Sequence, residues 1–355
     1  MGIAKPITLQ DLASRLGISK VTVSRALRGQ PDIGKETAKK VIALADELGY
    51  RPNILARKLA SKQTRTIGLV VPKIAHHFLT QVIDSIYKLA NKLDYEIVMM
   101  VSEEDQVLER KHIETLISMR VDGLLVSIAE NTSNYEIFEQ VATSRTPLVF
   151  FDRVVQDIGF TTISCDDKAG AAELVNYAIG RGYRAFGHIG GYQSVSIGQK
   201  RYQGLVKTLA SHQISLNPAH AIFGGFSRAD GYSGMMQLHE NGDLPEILFA
   251  VTYPVALGVL GACQELGIRI PHDMDLICFG SSSYNALISP SITGIMQPAS
   301  KVGEMALERL LHKIENSDDD QVENLIVPVE INYAETCIDK HNVNPSIQDE
   351  EVHEK

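Results

Sequence analysis

Several features that would place a chain of 355 residues in a familiar class are missing from this sequence. No run of about 18 apolar residues occurs, and the first ten residues, MGIAKPITLQ, lack the apolar core of a secretory signal. We therefore expect a cytoplasmic protein with no membrane contact. Its apolar content of 44% and charged content of 22% are typical of globular chains, and its length allows two or three domains.

Motifs of common enzymes are also missing. The chain contains no GxGxxG, HExxH or GxSxG segment, which argues against dinucleotide, zinc-protease and hydrolase sites. In GQPDIGKE, Glu36 stands where a phosphate-binding loop needs Ser or Thr to hold magnesium. Asp166 and Asp167 in CDDKAG stand just before a predicted helix, where capping is the default interpretation. We predict no catalytic residue and no enzymatic activity.

Cysteines are few and far apart. The four residues Cys165, Cys263, Cys278 and Cys337 include no CxxC pair. This spacing favours buried free thiols over metal ligands or a redox pair. Neither a metal site nor a cofactor is predicted.

Charge is divided unevenly along the chain, although the net charge is −9. Residues 1–65 hold thirteen Lys or Arg against five Asp or Glu, a net +8, which leaves −17 for the remainder. A basic segment joined to an acidic body is expected when only one part of a protein meets a polyanion.

The basic segment predicts three short helices. In ITLQDLASRLG, the apolar positions 9, 12, 13 and 16 form one face, Thr8 with Asp11 resembles a capping box, and Gly17 ends the helix. Ser19 is placed to cap a second helix over 20–27, with positions 20, 21, 22 and 25 facing outward. A third helix is predicted over 35–48, before Gly49 and Pro52.

Two helices joined by a glycine-containing turn are the parts of a helix-turn-helix DNA reader. Its second helix would enter the major groove, where Arg25 is able to bond bidentately to guanine. The alternative from the residues alone is a basic three-helix packing module with a solvated face.

From position 66 onward, apolar runs alternate with amphipathic helical stretches. The runs span 66–72, 95–102, 122–127, 147–152, 186–191, 246–251 and 275–280, and the helices include 78–92, 106–119 and 168–181. This alternation predicts parallel sheets covered on both faces, and two sheets suit the length better than one very wide sheet. Ligands bind beyond the carboxyl ends of such strands, here in the cleft between the sheets.

Residues that follow the predicted strands are therefore candidate ligand contacts, although each alone is equally well a turn or capping residue. The candidates are His76, His77, Phe78, Ser127, Asp152, Arg153, Tyr192, Phe226, Tyr253, Ser281 and Ser282, with Arg201 on the helix after GGYQSVSIG.

The segments TLQDLASRLGISKVTVSRALRG, LADELGYRPN and LARKLASKQTRTIGLVVP resemble the N-terminus of the LacI/GalR family of bacterial transcriptional repressors. RVDGLLVS, PLVFFDR, CDDKAGA, GHIGG…KRYQGL and ISPSITGIMQP resemble its effector-binding core, so the resemblance covers about residues 6–337. It implies an α/β fold, with an N-terminal all-α helix-turn-helix head and a periplasmic-binding-protein-like body of two doubly wound parallel-sheet subdomains.

The resemblance also implies which residues meet DNA. Lys20, Val21 and Arg25 would reach bases, although Val21 departs from the polar residue often found there. RPNILARKLASKQTRT would be a hinge helix that forms on operator DNA, with Leu59 as a minor-groove wedge; the alternative is a flexible tether. The predicted DNA contacts are Thr8, Ser19, Lys20, Val21, Thr22, Ser24, Arg25, Arg28, Asn53, Ala56, Arg57, Lys58 and Leu59.

For the cleft, the resemblance implies a sugar-like effector with Arg201 among its contacts. Where the family usually has Asn-Asp and Gly-Phe-Asp, positions 252–253 are Thr-Tyr and 278–280 are Cys-Phe-Gly, so two carboxylates that would accept bonds from sugar hydroxyls are missing. Because the candidate cleft keeps two histidines and two arginines, the sequence favours an anionic effector, such as a sugar phosphate or sugar acid. Loss of effector binding is the rival explanation.

The predicted division is 1–51 for the head, 52–65 for the hinge, 66–340 for the core and 341–355 for a disordered tail. Within the core, residues 66–163 plus 293–323 and residues 164–292 plus 324–340 form the two subdomains.

One helix-turn-helix reads only half of a palindromic operator, so we expect a homodimer, with helices 78–92 and 106–119 as candidate dimer surfaces. We predict a cytoplasmic, nucleoid-associated repressor of carbohydrate uptake or catabolism genes that binds double-stranded operator DNA and a sugar or sugar-phosphate effector. The alternatives are an activator or dual regulator, and a regulator that answers to a protein partner.

Overall fold

A computed structural model describes residues 7–27, 29–50, 64–74, 77–316 and 321–341. The chain divides into two compact units, residues 1–64 and 65–355. Residues 51–63, which hold nearly all of the predicted hinge, and residues 342–355 of the predicted tail lie outside the described residues. The hinge and tail therefore stay predictions.

The head consists of the three helices that the sequence predicts. They are α1 (Leu9–Leu16), α2 (Lys20–Leu27) and α3 (Lys35–Glu47). The capping box before α1 is confirmed: Thr8 Oγ1 accepts from Asp11 N, and the Asp11 carboxylate accepts from Thr8 N. Gly17 ends α1 with a φ of 65°, in the left-handed region that glycine adopts without steric cost. The three apolar faces meet in one core of Leu12, Ala13, Val23, Ala26, Val41 and Ala45.

The first half of the body is a parallel sheet with helices on both faces. Its strands are β1 (Thr66–Val71), β2 (Glu96–Val101), β3 (Gly123–Val126), β4 (Leu148–Phe151), β5 (Thr161–Cys165) and β11 (Asn324–Val327). Its helices are α4 (His77–Lys92), α5 (Gln106–Ser118), α6 (Glu136–Thr143) and α11 (Ala299–Glu315). The strand order is β11-β5-β4-β3-β1-β2.

The second half repeats this architecture. Its strands are β6 (Phe186–Gly190), β7 (Ala221–Phe223), β8 (Ile247–Ala250), β9 (Asp275–Phe279), β10 (Thr293–Met296) and β12 (Glu330–Asn332). Its helices are α7 (Asp167–Gly180), α8 (Ser196–Ser211), α9 (Arg228–Glu240) and α10 (Tyr253–Leu266). The strand order is β12-β10-β9-β8-β6-β7, and β12 runs antiparallel to β10.

The apolar runs explain why both sheets are covered on both faces. Every residue of β1, β3, β8 and β9 is buried, which leaves no face for water. The edge strand β2 differs, because none of its residues is fully buried. Parallel strands in both sheets place their carboxyl ends at the cleft, as the sequence predicts.

The chain crosses between the halves three times, and two crossings differ from the predicted division. That division assigned 293–323 to the first half and 324–340 to the second. The strand pairing instead places β10 beside β9 in the second sheet and β11 beside β5 in the first. The segment LIVPVEINY holds both β11 and β12, which are separated at Pro328 because proline has no N–H group for a strand ladder.

Three further properties bear on function. The described helices include none that is long and apolar enough to cross a membrane. Within the described ranges, no group of three or more His, Cys, Asp or Glu side chains is arranged to hold a metal ion. All four cysteines are buried free thiols, which confirms that prediction.

Candidate functional site

Helix α2 presents polar and apolar groups outward from the head. Lys20, Val21 and Arg25 are exposed, whereas Val23 and Ala26 are buried on the opposite face. The 59% exposure of Val21 leaves a branched apolar side chain at the surface, where it is suited to contact a thymine methyl group. The structure thus places the three predicted base-reading residues on one face.

The start of α2 is fixed by its cap. The Ser19 hydroxyl oxygen accepts from Thr22 N at 3.0 Å and lies 2.9 Å from the Thr22 hydroxyl. Both hydroxyls therefore lie at the helix N-terminus, where phosphate groups bind favourably. Thr8 is committed to its own cap, since its hydroxyl donates to Asp11 Oδ2 at 2.7 Å.

The remaining predicted DNA contacts are a half-buried serine and six residues that the structure does not describe. Ser24 is half-buried in α2. Six predicted contacts lie outside the described residues: Arg28, Asn53, Ala56, Arg57, Lys58 and Leu59.

A cavity of about 80 Å³ lies between the carboxyl ends of the two sheets. Eight of the predicted ligand contacts line it: His77, Phe78, Asp152, Arg153, Arg201, Phe226, Tyr253 and Ser281. Tyr192 lies outside the lining, with its ring centroid 6.2 Å from that of Phe226. Ser127 is fully buried and also outside the lining, and its hydroxyl has no hydrogen-bond partner among the described residues. His76 lies outside the described residues.

Arg201, on α8, is almost fully buried and bonded on several sides. Its Nε and Nη2 atoms each lie 2.8 Å from Asp167 Oδ1, and Nη1 donates to the Val251 carbonyl at 2.8 Å. Its guanidinium carbon lies 3.8 Å from the centroid of the Phe279 ring. Because a guanidinium has five N–H donors and these bonds use three, two remain for a ligand.

Arg153 follows β4 on the opposite wall. Its Nη1 atom donates to Glu104 Oε2 at 2.7 Å, and both side chains are buried. The same Glu104 oxygen accepts from Glu130 N at 2.9 Å. The Arg153 guanidinium carbon lies 4.9 Å from the ring centroid of Phe226, which belongs to the second half.

The predicted charge of the cleft is wrong, because acids accompany both arginines. Glu104 pairs with Arg153, and Asp167 pairs with Arg201. Asp152 is itself in the lining, and burial raises its pKa to about 6. Sequence reasoning missed the two pairings because the partners are 49 and 34 residues apart along the chain. Neither spacing leaves a periodic signal.

Gly280 replaces the carboxylate that the family usually has after this strand. Its φ of 121° lies in a region that favours glycine, and an added Cβ would be 3.2 Å from the Tyr253 Cβ. The Tyr253 hydroxyl donates to Asn285 Oδ1 at 3.2 Å. The backbone at position 280 therefore favours glycine over an aspartate. This wall of the cleft is largely aromatic.

Gln297 also lines the cleft, although it is not among the residues predicted from the sequence. It follows β10, which was not predicted as a strand, so the strand-end rule could not reach it. Its side-chain amide donates to Cys165 Sγ at 3.7 Å, which joins two of the three crossings.

Direct contacts cross the cleft. Val154 N donates to Ser196 Oγ at 3.3 Å, and the rings of His77 and Tyr284 have centroids 6.1 Å apart. With the Arg153–Phe226 contact, these hold the two halves close together around the cavity.

A helix-turn-helix head and a two-sheet body with a cleft define a DNA-binding transcriptional regulator with a ligand-binding core. Residues 8–53 match the family described as bacterial regulatory proteins, lacI family, and residues 175–337 match the periplasmic binding protein-like domain. The chain belongs to the LacI/GalR family of bacterial regulators.

Known proteins of similar sequence and fold span almost the whole chain. Catabolite control protein A of Staphylococcus epidermidis is 29% identical over 330 residues, 93% of this chain and 99% of the relative. The protein of that name from Priestia megaterium is 27% identical over 313 residues, 88% and 93% of the two chains.

Solved structures support the same assignment. A Lac repressor dimer bound to operator and the anti-inducer ONPF is similar with a TM-score of 0.83 and 25% identity, covering 94% of this chain and all of that one. A complex of the transcriptional regulator CelR with cellobiose has a TM-score of 0.71 at 20% identity, covering 93% and 99%, and shows the shared fold.

Proposed function

We propose that this chain is a homodimeric repressor of carbohydrate uptake or catabolism genes, and that a sugar in the cleft controls its affinity for a palindromic operator. The observation that carries the proposal is the cleft: eight residues predicted to contact one effector line a single cavity. The relatives named for catabolite control, and the structural neighbour CelR in complex with cellobiose, support a carbohydrate as the effector class.

A neutral polyhydroxyl ligand fits this cleft better than a phosphorylated one. Each guanidinium is already neutralised by a buried carboxylate, so a phosphate would bring its charge close to Asp152 without an unpaired cation. Sugar hydroxyls, in contrast, are able to donate to Asp152 and to accept from Arg201 and Gln297. This reverses the anionic preference drawn from the sequence.

Aromatic side chains supply the other part of a sugar site. Phe78, Phe226 and Phe279 line the cavity together with Tyr253. Their rings provide apolar surface for the C–H faces of a pyranose or furanose, while the polar groups fix its orientation.

Dimerisation is supported by exposed apolar side chains around one sheet edge. The edge strand β2 is flanked by α4 and α5. Tyr87 on α4 is 60% exposed, Met99 on β2 is 39% exposed and Val107 on α5 is 77% exposed. A second copy that covers this surface removes the unpaired strand edge and apolar area from water. Sedimentation should therefore give a dimer, and Met99→Glu should shift it toward monomer.

The experiment begins with enrichment of an operator from random-sequence DNA by the purified chain. Binding of that operator should weaken steeply between about 50 and 200 mM salt, as expected for contacts to phosphates. Calorimetry with matched neutral and phosphorylated sugars then tests the cleft, and any sugar that binds is added to the DNA titration.

The outcomes separate the parts of the proposal. Failure to enrich any sequence contradicts operator recognition. Tight binding of phosphorylated sugars alone contradicts a neutral ligand. Sugar binding that leaves the affinity for DNA unchanged contradicts control of DNA binding by the sugar. Operator binding that activates transcription in a reconstituted assay contradicts repression.

A further inference from the structure

The geometry of the head points to a role for a residue that the DNA-contact predictions do not include. We propose that Asp32 orients Arg25 for base reading, and so determines sequence specificity without touching a base. Arg25 Nη1 lies 2.7 Å from Asp32 Oδ2, and the two side chains are 51% and 50% exposed. The inference rests on the proposed function, operator binding, and on the prediction that Arg25 reads a base pair from α2.

The carboxylate is held in place by its backbone. Asp32 lies in the turn between α2 and α3, which begins where Gln30 N donates to the Arg25 carbonyl at 3.1 Å. On the other side, Ile33 N donates to the Gln30 carbonyl at 3.2 Å, and the Ile33 side chain packs against the head core. The turn therefore fixes Asp32 relative to the helix that carries Arg25.

The pairing leaves Arg25 able to bind a base. The carboxylate takes one of five N–H donors in a planar group, and a guanine edge requires two. A hydrogen bond to one edge of the planar Arg25 guanidinium fixes the plane of the whole group, which reduces the rotamer freedom that is lost when DNA binds. The bond is expected to strengthen when DNA covers it, because the local dielectric constant falls.

The exposure of the pair indicates recognition more than folding. Exposed ion pairs contribute little to stability. A carboxylate on the DNA-facing side also repels phosphates at every sequence. Asp32 should therefore weaken binding to all DNA while it sharpens discrimination at the base pair that Arg25 contacts.

The test compares Asp32→Asn, Arg25→Lys and the wild-type chain. The probes are the wild-type-enriched operator, all of its single-base-pair variants, and a non-operator duplex of equal length. Glu47→Gln is the matched control, because it removes one negative charge from the exposed side of α3. Thermal unfolding confirms that each head is folded.

We expect Arg25→Lys to reduce discrimination by about 10-fold or more at one base pair of each half-site. Asp32→Asn should reduce discrimination about 5-fold at the same base pair and at no other, while non-operator affinity rises about 2-fold. Glu47→Gln should leave the discrimination pattern unchanged.

Three results would overturn the inference. If Asp32→Asn discriminates like wild type while Arg25→Lys loses discrimination at one base pair, Asp32 has no orienting role, and base reading by Arg25 is still supported. If Glu47→Gln reproduces the Asp32→Asn pattern, only net charge matters. If neither Arg25→Lys nor Asp32→Asn changes discrimination at any base pair, the prediction that Arg25 reads a base is also contradicted.

Discussion

The two halves of the body have the same architecture, yet they give the cleft different chemistry. The first half contributes the titratable Asp152 and an arginine, Arg153, whose partner Glu104 follows the end of β2. The second half contributes mainly rings, and its arginine, Arg201, is already bonded to a carboxylate and a carbonyl. Two halves with the same fold therefore present different surfaces: one wall provides a titratable carboxylate, and the other provides most of the aromatic surface beside the remaining Arg201 donors.

The largest expected effect tests whether Arg201 is a structural as well as a binding residue. Asp167→Ala removes the ionic partner of the Arg201 guanidinium, which is almost fully buried. Because an unpaired buried charge is strongly unfavourable, we expect a loss of about 3–5 kcal/mol in the free energy of unfolding, measured with urea. The control Asp166→Ala removes a helix cap bond to Ala169 N and should cost about 1 kcal/mol. Equal losses would show that the second wall is not held by this pair.

A second prediction concerns the buried carboxyl group of Glu109, in the first half. It accepts from Ala129 N and the Thr132 hydroxyl, and burial raises its pKa from 4.5 to about 7. A raised folded-state pKa stabilises the protein fully below pH 4.5, and this contribution is lost as the pH rises through 7.

Glu109→Gln should therefore remove a pH-dependent loss of about 3 kcal/mol between acidic and mildly alkaline solution. Glutamine keeps the shape of the side chain, and unfolding in urea from pH 5 to 8 measures the difference. Glu114→Gln, on the exposed side of the same helix, should follow the wild-type curve. Parallel curves for wild type and Glu109→Gln would contradict the raised pKa.

The third prediction addresses the ligand wall directly. Asp152→Asn should weaken the binding of a neutral sugar about 10-fold, because a neutral amide is a poorer acceptor than a carboxylate. Since burial raises the pKa of Asp152 to about 6, wild-type affinity should fall as the pH drops below 6, whereas the variant should stay flat. Calorimetry at several pH values tests this prediction. An unchanged affinity in Asp152→Asn would mean that Asp152 does not bind the sugar and that its polar contacts come from the other wall.

The smallest effect concerns the contact between the walls. Ser196→Ala removes the acceptor of Val154 N, a single neutral hydrogen bond of 3.3 Å across the cleft. We expect sugar affinity to fall about 3-fold, with little change in stability. Ser211→Ala, on the same helix and away from the cleft, is the control. A loss as large as that of Asp152→Asn would mean that closure, more than the polar wall, determines affinity.

Local signals predicted the elements well, since caps and periodic apolar faces act over a few residues. The capping box at Thr8, the glycine stop at Gly17 and the strand-end position of Arg153 were all visible in this way. The pairings of Arg153 and Arg201 depend on residues far along the chain, so the charge balance of the cleft was predicted wrongly. β5, β7 and β10 were missed because their short segments TTISC, AIF and TGIM are not long apolar runs.

Because the chain crosses between the halves three times, neither half of the body is encoded by one continuous gene segment. β11 closes one edge of the first sheet and β12 closes one edge of the second, although both lie within residues 324–332. A truncation before position 324 therefore opens both halves at once, and no contiguous stretch of the chain encodes either half alone. Deletion, permutation or domain-exchange experiments on the body must carry both halves together, whereas the first compact unit, residues 1–64, is contiguous and can be exchanged as one segment.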